Sequence, residues 1–138
     1  MATHANNLKN KDITPNGCAL TDEYTIHIHS EVNDVHINCK SKDDDLGDNY
    51  LNVGEEYNFK FCMNVIGSTL FYCHFDWEGK QAQFDVFRKI DGRNPEWCKQ
   101  GQGHKVNCYW DVKEDGFYIP GSFDPEPNKW YVKYDWDQ

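Results

Sequence analysis

The sequence predicts an all-β fold, an antiparallel β-sandwich of seven or eight short strands stabilised by disulfides. Three observations lead there. Apolar and polar residues alternate with a period of two along most of the chain, turn signals separate the alternating runs, and six cysteines fall within 138 residues. No stretch holds a helical period for a dozen residues.

The elements follow in order. Residues 1–22 are polar and include Pro15-Asn16-Gly17, so a flexible N-terminal arm with little regular structure is expected, leaving residues 23–138 as one sandwich domain. Tyr24, Ile26, Ile28 and Val32 then share one face while Thr25, His27, His29 and Glu31 share the other. After the turn signal Asn33-Asp34, Val35, Ile37 and Cys39 repeat the alternation, and a hairpin between the two runs is expected. Lys42 to Tyr50 has the composition of a solvated loop. Tyr57, Phe59, Phe61, Met63 and Val65 give a third strand, Phe71 to Trp77 a fourth, and Ala82 to Val86 a fifth after Glu78-Gly79-Lys80. Asp91 to Gly103 lacks periodicity and reads as a loop pinned by Cys98. Val106 to Val112, Phe117 to Ile119 and Trp130 to Tyr134 complete the strands.

Composition narrows the function. Mean hydropathy is -0.87, and nothing approaches the roughly 20 apolar residues of a membrane span. A formal charge of -9 repels phosphate backbones and anionic lipid, which excludes general nucleic-acid binding and leaves basic partners open. The cysteine density is that of an oxidising compartment, so a secreted, extracellular chain is expected, with Met1-Ala2-Thr3-His4 opening a mature form whose signal peptide is not included. There is no Asn-x-Ser/Thr sequon.

Several side-chain groups carry possible chemistry. His27 and His29 share one strand face, with His36 opposite if the hairpin forms, a geometry able to bind a transition metal; an exposed polar face is the simpler reading and no metal is assigned. Asp43, Asp44, Asp45 and Asp48 could offer oxygens to calcium, but the EF-hand order and its twelfth-position Glu are missing, so a solvated loop or a contact for a basic partner is favoured. Neither Gly-x-Ser-x-Gly nor His-Glu-x-x-His occurs, and an enzyme is not expected. Most aromatic rings alternate inward, leaving Trp97, Trp136 and Tyr131 free to be exposed, as a sugar-binding wall module would need. Six cysteines permit fifteen pairings; alternation turns Cys39, Cys73 and Cys108 inward and Cys62 outward.

The run Val35-His36-Ile37-Asn38-Cys39-Lys40-Ser41-Lys42-Asp43-Asp44-Asp45-Leu46-Gly47 resembles an element of the plant self-incompatibility S1 family, the S-protein homologues. The resemblance continues through Tyr57-Asn58-Phe59-Lys60-Phe61, Thr69-Leu70-Phe71-Tyr72-Cys73-His74-Phe75-Asp76-Trp77 and Phe84-Asp85-Val86-Phe87. It ends at Cys108-Tyr109-Trp110-Asp111-Val112-Lys113-Glu114-Asp115-Gly116-Phe117-Tyr118, covering roughly residues 24 to 136. It implies a small secreted plant β-sandwich acting in the apoplast as a signalling ligand, a monomer without cofactor or membrane insertion, recognised by a cell-surface receptor or membrane protein. Cys39, Cys73, Cys98 and Cys108 match the family's cysteine set, while Cys18 and Cys62 lie outside it. On that footing Cys39–Cys108 and Cys73–Cys98 are the expected bridges, with Cys18–Cys62 left to pair by elimination. For partner binding, the Asp91 to Gly103 loop is favoured because Arg93, Asn94, Glu96, Trp97 and Lys99 mix charge with an aromatic and depart from the family pattern; the Asp43, Asp44, Asp45 and Asp48 loop is the second candidate.

Overall fold

The computed structural model describes residues 8–14, 17–64, 66–121 and 129–137. Its strands are β1 (Leu8–Asp12), β2 (Glu23–Ser30), β3 (Val35–Lys40), β4 (Asp45–Leu51), β5 (Glu56–Cys62), β6 (Leu70–Trp77), β7 (Lys80–Arg88), β8 (Cys98–Gln100), β9 (Lys105–Lys113), β10 (Gly116–Pro120) and β11 (Trp130–Tyr134). No helix occurs among the described residues. The larger sheet runs β1-β5-β2-β9-β10-β11, with β8 also pairing along β9; the smaller runs β4-β3-β6-β7.

Alternation does what the sequence requires of it. In β2, Tyr24, Ile26, Ile28 and Ser30 are buried while Glu23, Thr25, His27 and His29 stand half-exposed on the outer face. Rings from the two inner faces meet across the core: Phe59 of β5 lies 5.0 Å from Phe71 of β6, Phe75 of β6 lies 4.7 Å from Phe117 of β10, and Phe84 of β7 lies 4.9 Å from Trp110 of β9. Such pairs add to the free energy gained from area burial alone. Turn chemistry fixes the register of β6 and β7. Glu78 (φ 47°) and Gly79 (φ 80°) both take the left-handed conformation that a two-residue hairpin loop matched to strand twist demands. Gly116 (φ 152°) is needed for another reason, since a Cβ there would lie 2.6 Å from the Tyr134 carbonyl oxygen.

The all-β sandwich has more strands than the alternation suggested, and the larger sheet is mixed rather than purely antiparallel. β1 runs parallel to β5 and β2 runs parallel to β9. The polar arm supplies β1, whose backbone groups pair with β5 whatever its side chains are. Asp45–Leu51, inside the expected Lys42 to Tyr50 loop, is strand β4, antiparallel to β3; polar composition there reflects an outward face at a sheet edge. The short β8 lies within the expected Asp91 to Gly103 loop. The expected hairpin between the Tyr24 and Val35 runs does not form, because β2 belongs to the larger sheet and β3 to the smaller, with Asp34 (φ 58°) turning the chain between them. Val65, assigned to the third strand, and Pro15-Asn16 lie outside the described residues.

Disulfide connectivity also differs. The bridges are Cys18–Cys62, Cys39–Cys73 and Cys98–Cys108. Cys39 and Cys73 are directly opposed in β3 and β6 with Cα atoms 4.0 Å apart, and Cys98 and Cys108 are opposed in β8 and β9 at 3.9 Å. The expected Cys39–Cys108 and Cys73–Cys98 bridges do not form, because each would join residues of different sheets and packed sheets lie about 10 Å apart. Inward-facing cysteines therefore pair along a sheet, with their strand neighbours, rather than across the core. Trp97 and Trp136, expected to be exposed, are buried at 4% and 7% of their surface, whereas Tyr131 is exposed. The indole N–H groups of Trp97 and Trp110 both donate to the Val86 carbonyl, at 2.8 and 3.2 Å, and that of Trp136 donates to the Lys113 carbonyl at 2.9 Å. Each indole gives up exposure because a backbone carbonyl satisfies its one donor.

Two outcomes are expected. Trp97→Ala should cost about 3–5 kcal/mol in urea unfolding, the penalty of a core aromatic rather than of a surface anchor. The bridges span sequence separations of 44, 34 and 10. Chain entropy values these loops at about 4.0, 3.8 and 2.8 kcal/mol, so full reduction should lower the calorimetric melting temperature by roughly 15 °C or more.

Candidate functional site

The sandwich presents its polar chemistry in three places: one end of the core and the outer faces of the two sheets. At the end, the turn from β3 to β4 is closed by the Ser41 N–H donating to the Asp44 carbonyl (2.7 Å) and the Asp44 N–H donating to Ser41 Oγ (3.1 Å). This turn faces the last residues of β5 and the first of β6, and between them lies a groove of about 680 Å³. Ile13, Phe61, Leu70 and Phe71 contribute its apolar wall, and Lys42, Asp43 and Asp44 its charged rim. The four aspartates named from sequence thus divide. Asp43 and Asp44 border the groove, whereas Asp45 and Asp48 are engaged in the β3–β4 pairing. Asp45 accepts from the Gly47 N–H (3.0 Å) and Asn38 Nδ2 (3.1 Å), and these bonds hold its carboxyl below the usual carboxylate range.

The other predicted loop is less available. Asp91 (φ 51°) and Gly92 (φ 76°) make a tight turn closed by reciprocal backbone bonds between Ile90 and Arg93. Asn94 accepts from the Tyr24 hydroxyl at 2.8 Å, which makes it a strut. Trp97 belongs to the core. Glu96 pairs with Lys133 at 3.6 Å, Lys99 lies half-buried in β8, and Arg93 is exposed. Arg93 and Glu96 are therefore the exposed members of that set, with Glu96 held by Lys133.

The histidines are distributed over both outer faces. On the larger sheet, His27 Nδ1 lies 2.7 Å from Glu56 Oε2 and Nε2 lies 2.8 Å from Asn107 Oδ1, with the ring stacked 4.9 Å from Tyr109. Burial works against its charge, yet the bonds to Glu56 and Asn107 outweigh it and raise the pKa. His29 Nδ1 lies 2.9 Å from Asp111 Oδ1, its register partner on β9. Burial, reinforced by the Glu31 carboxyl, pushes Asp111 up to about 6. On the smaller sheet, His36 Nε2 lies 2.8 Å from Asp48 Oδ1 and Nδ1 lies 3.3 Å from Asp76 Oδ2, which also contacts His74 Nε2 at 3.1 Å. His36 is therefore not opposite His27 and His29; the two sets occupy opposite outer faces because β2 and β3 are in different sheets.

Sequence reasoning missed these partners. Glu56, Asp76 and Asp111 sit in the outward phase of their strands, which was readable, but the register that brings them to the histidines was not. His36 shows what the register adds. With a carboxylate at each ring nitrogen, only the imidazolium can donate to both, so its pKa is raised despite the desolvation that opposes it.

Comparison with known proteins bears on what such a frame serves. A sequence profile of the family described as plant self-incompatibility protein S1 matches residues 25–136. S-protein homolog 3 of Arabidopsis thaliana is 36% identical over 105 residues, covering 75% of this chain and 63% of the relative. S-protein homolog 2 of the same plant is 28% identical over an alignment of 143 positions, covering 99% of this chain and 84% of the relative. S-protein homolog 5 is 39% identical over 80 residues, covering 58% of this chain and 56% of the relative. The chain thus spans less than two thirds of the length of two of these three relatives.

A pH series checks the His36 clamp. Because the folded pKa is raised above the unfolded value of about 6.5, the stabilisation is complete below that pH and is lost as pH rises through the folded value. His36→Gln should accordingly melt well below the parent at about pH 5.5, with the gap narrowing by about pH 8.5.

Proposed function

The chain belongs to the plant self-incompatibility protein S1 family, and from that premise we propose that it is a secreted signalling ligand, monomeric in the apoplast, recognised by a plant cell-surface protein through the acidic end of its sandwich. The observation that carries the proposal is the groove beside the Ser41–Asp44 turn. It joins an apolar wall from Phe61, Leu70 and Phe71 to the carboxylates of Asp43 and Asp44, and the whole chain carries a charge of -9. That combination suits an extracellular segment of the partner bearing basic and apolar side chains, steered in by the ligand's field and seated by desolvation of its apolar part. Arg93 and Glu96 form a secondary contact at most, since the rest of their loop is committed to the fold.

Two features support a ligand over a catalyst. All six cysteines are in bridges, and each described histidine contacts a carboxylate, on an outer face for His27, His29, His36 and His74 and in the β8–β9 turn for His104, rather than converging with a nucleophile in a cleft. A wall module that stacks sugars loses two of its three expected rings, because Trp97 and Trp136 are core residues, and keeps the β11 rings Trp130, Tyr131 and Tyr134 at the surface.

Tagged protein cross-linked to intact pollen, pistil and seedling cells provides the test. Asp43→Lys/Asp44→Lys should abolish the specific captured band while leaving the melt nearly unchanged, and Arg93→Ala and Glu96→Ala should weaken it little. Capture that survives the aspartate reversal but is lost with Arg93→Ala would move the contact to the other loop. Binding to purified wall polysaccharide with no captured protein would reject the ligand reading.

A further inference from the structure

The outer face of the larger sheet holds a cluster that partner recognition at the acidic end does not use. His29 stands opposite Asp111 in the parallel β2–β9 register, with Nδ1 2.9 Å from Asp111 Oδ1. Glu31 follows just beyond β2, and its backbone N–H donates to the Val112 carbonyl at 2.8 Å, which keeps the chain against β9 past the strand's end. One donor atom from each of His29, Glu31 and Asp111 consequently lies within 4.8 Å of the others. We propose that these three side chains bind a single divalent transition ion of the Zn²⁺ class, with water completing the coordination shell.

The donor set suits such an ion. One imidazole nitrogen and two carboxylate oxygens at bond lengths of about 2.0–2.2 Å are ligands that zinc takes, and three protein ligands plus water is a common shell for it. The donors, within 4.8 Å of one another, can close onto one centre by side-chain rotation while the β2–β9 pairing fixes the backbones of His29 and Asp111 and the Val112 carbonyl holds that of Glu31. Electrostatics argues for the ion as well. The Asp111 side chain is only 10% exposed and its carboxyl faces that of Glu31, yet no Lys or Arg bridges the two among the described ion pairs. Lys113 acts on Glu31 only through space, since its ammonium lies over the Tyr118 ring, 4.4 Å from the centroid. A dication would neutralise both carboxylates together.

The neighbouring clusters lack this opening. Both ring nitrogens of His27 are committed to Glu56 and Asn107, and both of His36 to Asp48 and Asp76, whereas His29 is bonded through Nδ1 alone among the described contacts.

Calorimetric titration of the untagged, metal-stripped chain with Zn²⁺ tests the assignment. The parent should take one Zn²⁺ per chain. His29→Ala and Glu31→Gln should each weaken binding at least about tenfold, the lower end of what perturbing even a supporting residue costs a metal site. Glu31→Gln should leave the melt unchanged, since Glu31 is exposed. Asp111→Asn should lose binding similarly, read beside its melt because the residue is buried, and His74→Gln should bind as the parent does. Absence of a saturable one-to-one isotherm in the parent, or parent-like binding in both His29→Ala and Glu31→Gln, overturns the proposal.

Discussion

The larger sheet depends on the parallel pairing of β2 with β9, which joins Glu23↔Lys105 through Ser30↔Val112. Parallel neighbours need a crossover connection, and here the crossover includes the entire smaller sheet as well as β5, which returns to the free side of β2. The central strand can therefore be completed only after the chain has travelled out and back. Loop-closure entropy for so distant a contact is offset only by the core that the two sheets bury between them. Both strands are buried on their inner faces, and their outward residues form the cross-strand contacts of His27 with Asn107 and of His29 with Asp111. One register thus sets both the core and the polar chemistry of that face.

A second tie joins the sheets. The Val86 carbonyl in β7 of the smaller sheet receives indoles from Trp97, just before β8, and from Trp110 in β9 of the larger. Its two lone pairs are both used, and rings that could have formed an exposed platform are consumed in the joint. What remains for recognition is charge and shape at the end and faces of the sandwich, together with the exposed Trp130, Tyr131 and Tyr134 of β11.

How much of this was legible in the sequence depends on whether the information is local. Period two read the inward and outward faces of β2, β3, β6 and β9 correctly, because side-chain phase belongs to a single strand. The Glu78-Gly79 turn was equally readable, since a two-residue loop writes its conformation in its residue types. Pairing between strands is not local. Cys39 and Cys73 were seen to face inward, but their neighbourhood follows from which strands are adjacent. The same gap hid β4, whose exposed aspartates resemble a loop, and moved His36 to the opposite face from His27. Trp97 was misread for a different reason: its partner, a backbone carbonyl in β7, leaves no mark in sequence composition.

Burial of the bridges has a consequence for how the protein ages in the presence of thiols. Cys39, Cys73 and Cys108 have no accessible surface, Cys98 is half-buried against its buried partner Cys108, and Cys18 and Cys62 are both half-buried. Attack by a small thiolate on Cys39–Cys73 must wait for the smaller sheet to open, so its rate is governed by local unfolding rather than by reductant strength. The bridge that ties residue 18 to the end of β5 is the one in which neither cysteine is fully buried, so it is the first that a thiolate can reach. Damage is thereby graded: the tether of the N-terminal segment can be cut and remade without exposing the core, which makes it the replaceable part of a durable frame.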